Sequence, residues 1–98
     1  MSRYKIERYK GVKSVFQAIA VNTQGINATF AENKEVLALS LKIEKNGEHI
    51  DYYYIHGNIQ IIRFVNNEDY KVMTTDPEKL GRHISWDIED FMKGKAIA

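Results

Sequence analysis

The chain has 98 residues, 14 Lys and Arg against 13 Asp and Glu, 44% hydrophobic and 28% charged side chains, one proline and no cysteine. That length holds one domain with a real core, and the composition excludes a disordered, fibrous or disulfide-stapled chain and any thiolate metal site. The first residues, MSRYKIERYK, carry charge where a secretory peptide needs an apolar run, and no later run reaches bilayer-spanning length, so a cytoplasmic protein without a membrane segment is expected.

The near-neutral total conceals an asymmetry. Before Ser14 stand Arg3, Lys5, Arg8, Lys10 and Lys13 against Glu7 alone, whereas the remainder holds nine basic and twelve acidic side chains. A basic piece of this kind can face phosphates, and it can equally be the lysine-guarded edge of a sheet.

Taken in order, Tyr4 to Lys10 alternates enough to predict a first strand ended by Gly11. Ser14 to Val21 is apolar on both faces, which predicts a buried second strand, with a short helix as the competing assignment. Asn22 to Gly25 is turn chemistry, and Ile26, Ala28 and Phe30 alternate with polar residues in a third short strand. Leu37, Leu39, Leu41 and Ile43 then alternate with Ala38, Ser40, Lys42 and Glu44. Asn46-Gly47 follows, and both residues tolerate the positive φ of a type I′ turn, so a hairpin is predicted into His49 to Ile55. His56-Gly57-Asn58 turns the chain into Ile59 to Val65, and Asn66 to Asp69 turns it again into Tyr70 to Thr74. The period changes after Thr75. Asp76 is placed to cap a helix, Pro77 suits its first position, and Leu80, Ile84, Ile88 and Phe91 recur along one face up to Lys93-Gly94. Gly81 and Ser85 leave open whether this helix is split in two. The expected fold is α+β and mostly antiparallel: six to seven short strands in a barrel- or sandwich-like meander, closed by one C-terminal helix over about 77–93.

Functional signals are sparse. No phosphate loop, dinucleotide fingerprint, nucleophile elbow or zinc helix occurs. His49, Asp51 and Tyr53 share one side of a strand, with His56 close by. A carboxylate beside an imidazole can orient a general base or a metal ligand, although the polar outer face of a hairpin produces the same letters. Of the three consecutive tyrosines, Tyr52 and Tyr54 face with Ile50, and Tyr53 with Asp51, which places at least one aromatic at the surface. On the helix, His83 and Trp86 lie off the apolar stripe, and Asp87, Glu89 and Asp90 form an acidic group. The expectation is a small non-enzymatic protein-binding domain without cofactor or metal: an adaptor, an accessory subunit, or an inhibitor or immunity-type partner of a larger protein. Tyr53, Trp86, Asp87 and Asp90 are its partner-binding residues. The alternative is a nucleic-acid-binding module using Arg3, Lys5, Arg8, Lys10, Lys13 and exposed tyrosines. An unpaired terminal strand could also pair edge to edge with a second copy.

Overall fold

A computed structural model describes residues 3–97. The elements run α1 (Arg3–Asn22), β1 (Asn27–Asn33), β2 (Ala38–Lys45), β3 (Glu48–Ile55), β4 (Gln60–Val65), β5 (Glu68–Thr74) and α2 (Pro77–Met92). The five strands form one antiparallel sheet in sequential order β1-β2-β3-β4-β5. β1 and β5 are its two edges, so the meander is present but the sheet does not close into a barrel.

The middle of the chain obeys its alternation. Leu39, Leu41 and Ile43 are buried on β2 and pair with Tyr54, Tyr52 and Ile50, themselves buried on β3. Asn46 and Gly47 take φ of 52° and 83°, the left-handed pair that a two-residue hairpin needs. Asn66 and Asn67 repeat the device between β4 and β5 at 53° and 64°. β2 begins one residue later than its leucine pattern implies, because Leu37 sits in the preceding turn with φ 51°.

The first third requires a correction. The two strands expected over Tyr4–Lys10 and Ser14–Val21 are a single helix, α1, so the six to seven strands are five. Tyr9, Val12, Phe16 and Ile19 recur at steps of three, four and three, which is the period of a helix face. Val12 and Phe16 are fully buried in the cluster formed with the β2 and β3 side chains, and Phe16 meets Tyr52 at a ring separation of 6.4 Å. The run looked apolar on both faces because α1 has two neighbours. One side lies on the sheet and another on α2, where Val15 approaches Gly81 and Gly11 receives Pro77. A Cβ at Gly11 would stand 2.8 Å from the Pro77 Cγ. Gly11 therefore does not end an element; it lets two helices touch.

α2 is continuous through Gly81 and buries Leu80, Ile84 and Phe91. Asp76 occupies the N-cap position but its side chain makes no capping bond there, and its carbonyl accepts from the Leu80 amide. At the other end Gly94 adopts φ 74°, and the Gly94 and Lys95 amides bond back to the Phe91 and Asp90 carbonyls, which closes the helix in a left-handed stop. Both helices contribute to the same buried cluster and so cover the same face of the sheet. The result is two layers, with the opposite face of the sheet uncovered by any described residue.

Candidate functional site

The uncovered face follows from pairing and alternation together. Ser40 stands opposite Tyr53, Tyr53 opposite Ile62, and Ile62 opposite Val72. Asp51 stands opposite Phe64 one step away. All of these point away from the helices, because their strand neighbours Leu41, Tyr52, Ile61 and Met73 are in the core. An antiparallel sheet with one solvated face ordinarily turns polar residues to water. Here the face carries an aromatic line: the rings of Tyr53 and Phe64 are 6.0 Å apart and those of Phe64 and Tyr70 6.1 Å apart, both tilted or edge-on. Tyr53 is 46% exposed, Tyr70 62% and Ile55 52%. Ile62, Phe64 and Val72 lie half-covered between them. This contiguous apolar patch is the strongest surface feature of the described residues.

A polar corner borders it. Asp51 is buried although it lies on the bare side, and its carboxylate bonds to His49 Nδ1. The Asn66 side chain accepts from the His49 amide at 2.8 Å, which ties the β4–β5 turn to the start of β3. Burial, and next the Asp51 charge, hold the Tyr53 hydroxyl above the usual phenol range. Lys42 pairs with Glu44 at 3.6 Å on the same side. The one lysine on this face among the described strand residues is thus already paired with a carboxylate.

No family model, curated protein or solved structure matches the chain.

The expected partner-binding residues do not converge. Tyr53 is on the bare sheet face, whereas Trp86 is on α2 in the opposite layer, 52% exposed and edge-on to His83 at 5.3 Å. Asp90 is half-buried near the end of α2, close to Lys93. Asp87 faces inward. Its carboxylate receives the Arg63 guanidinium at 3.0 Å through both oxygens and the Tyr52 hydroxyl at 2.7 Å. The Arg63 side chain is only 3% exposed, so this carboxylate neutralises a cation buried between sheet and helix. Burial and the Asp87 charge together push the Tyr52 phenol well above its ordinary pKa.

The basic residues of the alternative reading lie on α1, across the sheet from Tyr53 and Tyr70. Lys13 bonds to Glu32 at 2.9 Å, and Arg8 donates to the Asn58 carbonyl at 3.1 Å. Glu32 also accepts from the Tyr9 hydroxyl; that bond and the Lys13 bond hold its carboxyl below the usual range. Lys5 and Lys10 are exposed on the same helix, and Arg3 begins it.

Phe64, Tyr70, Ile62 and Val72 complete this patch and are not among the expected partner-binding residues. Their signal was available: once the Asn46-Gly47 and Asn66-Asn67 turns fix register, the partners of Tyr53 can be counted off across β4 and β5.

Proposed function

We propose that the chain is a small non-enzymatic protein-binding domain whose recognition surface is the bare face of the sheet, centred on Tyr53, Phe64 and Tyr70. Such a domain serves as an adaptor, an accessory subunit, or an inhibitor or immunity-type partner of a larger protein. The observation that carries this reading is the aromatic line flanked by Ile55, Ile62 and Val72, on a face where an antiparallel sheet would otherwise be polar. Tyrosine and phenylalanine bring large contact area at low entropic cost and are enriched in interface cores.

Charge separates this reading from nucleic-acid binding. Phosphate contacts need cations beside the stacking rings. Among the strand residues turned to the bare side Lys42 is the one Lys or Arg, and it already faces Glu44. The basic residues of α1 are in the other layer.

The test is co-purification from cells that make the protein, comparing the natural chain with the double variant Phe64→Ser, Tyr70→Ser and with Trp86→Ser. A stoichiometric protein that is lost with the sheet-face variant and kept with Trp86→Ser supports the proposal. A partner that depends on Trp86 and ignores the sheet face overturns it, as does tight, salt-dependent binding of oligonucleotides by a chain that retains no protein.

A further inference from the structure

The two edges of the sheet are built differently. β5, EDYKVMT, carries three charged residues, and its pairing with β4 shifts register between Arg63 and Val65; both features discourage another strand from docking. β1, NATFAEN, has seven regularly paired residues, no lysine, no proline and no bulge. Its single charge, Glu32, is turned to the helix side and held there by Tyr9 and Lys13. No backbone hydrogen bond from any described residue outside β2 reaches β1. An edge with those properties presents open amides and carbonyls as a template.

We infer that β1 pairs antiparallel with β1 of a second copy of this chain, about a two-fold axis at Phe30, to give a continuous ten-stranded sheet. The occupant follows from the sequence of the edge itself. In the register centred on Phe30 all seven residues find partners: Asn27 faces Asn33, Ala28 faces Glu32, Thr29 faces Ala31, and Phe30 faces its own copy. No like charges meet, because Glu32 opposes alanine. Phe30, half-covered in the single chain, gains an aromatic cross-strand neighbour on the helix side. The interface is isologous, so it closes at two subunits and adds no further exposed edge of this kind. The axis stands perpendicular to the sheet, and both aromatic faces lie on the same side of the dimer. This inference rests on the edge and stands apart from the proposed use of the bare face.

The test is sedimentation of the full chain and two double variants across a concentration series, with circular dichroism to verify folding. Thr29 and Ala31 are exposed, and a carboxylate at 29 lies opposite Lys42 in its own sheet, so neither variant disturbs the fold. Thr29→Glu with Ala31→Glu sets like charges across the axis in two symmetric pairs and should weaken the dimer by about tenfold or more. Thr29→Glu with Ala31→Lys sets opposite charges in the same places and should restore it. A natural chain that stays monomeric at its highest soluble concentration overturns the inference, as does a dimer indifferent to the first variant. Loss of the dimer in both variants overturns the Phe30-centred register.

Discussion

β3 carries three tyrosines in a row, and the two faces of the sheet treat them oppositely. Tyr52 and Tyr54 are buried under the helices, and the Tyr52 hydroxyl is committed to Asp87. Tyr53, between them, is nearly half exposed beside Phe64 and Tyr70. The residue type is the same and the backbone continuous; only the pleat differs. The covered face buries its aromatics in the core, and the bare face leaves its aromatics in contact with one another and with solvent. Under the proposed function, those exposed rings are the ones that meet a partner.

The largest effect is expected beneath the sheet, at the buried ion pair. Asp87→Ala leaves the buried Arg63 cation and the Tyr52 hydroxyl without their carboxylate and should cost about 3–5 kcal/mol in a denaturant titration. Arg63→Met added to it should recover most of the loss, since an apolar pair of similar volume replaces a buried ion pair at little cost. If Asp87 were instead a solvated partner contact, the single substitution would be nearly silent.

Two helix glycines give the next effects, with opposite signs. Gly11→Ala forces a Cβ to 2.8 Å from the Pro77 ring, which cannot swing aside. It should destabilise by about 1–3 kcal/mol despite the better helix propensity of alanine. Gly81→Ala meets only Val15 at 3.9 Å and should stabilise by about 1 kcal/mol. Thermal midpoints of the two variants, moving apart around that of the natural chain, check the assignment of α1 and its contact with α2.

A pH titration probes the covered side more gently. Burial, and after it the bond to Glu32, push the Tyr9 phenol up to about 12 from the ordinary tyrosine value of 10.0. The folded chain holds this proton while the unfolded chain releases it, so the contribution is complete below the lower value and is lost as pH rises through the higher one. Unfolding free energy should therefore fall between those limits, and Tyr9→Phe should flatten that fall. The smallest effect belongs to the bare face. Tyr70→Ser removes a ring contact with Phe64 but no buried group, and should cost no more than about 1 kcal/mol. A larger loss would mean that the aromatic line is part of the core.

The sequence was most transparent where one face of an element was apolar and the other polar. Leu39, Leu41 and Ile43, the Asn46-Gly47 turn and the Pro77-led helix were all legible for that reason. It was least transparent in α1, where contact with both sheet and α2 spreads apolar residues round the helix and mimics a buried strand. A glycine selected for close packing against Pro77 then resembled a breaker. Asp87 was misplaced on the surface because a carboxylate beside other acids on a helix suggests solvent; its partner, Arg63, is on β4, and no local pattern reveals that pairing. Tyr53 was correctly set on the outer side. Its neighbours were not, since they become one patch only when three strands are registered together.

The proposed function requires that the bare sheet face, and not α2, meets the partner. A photo-crosslinking side chain placed at Tyr70, and separately at Trp86, in cells that make the protein measures this directly. The expected result is one adduct of defined mass from position 70, abolished by Phe64→Ser, and none from position 86. An adduct from position 86 with a silent sheet face would contradict it.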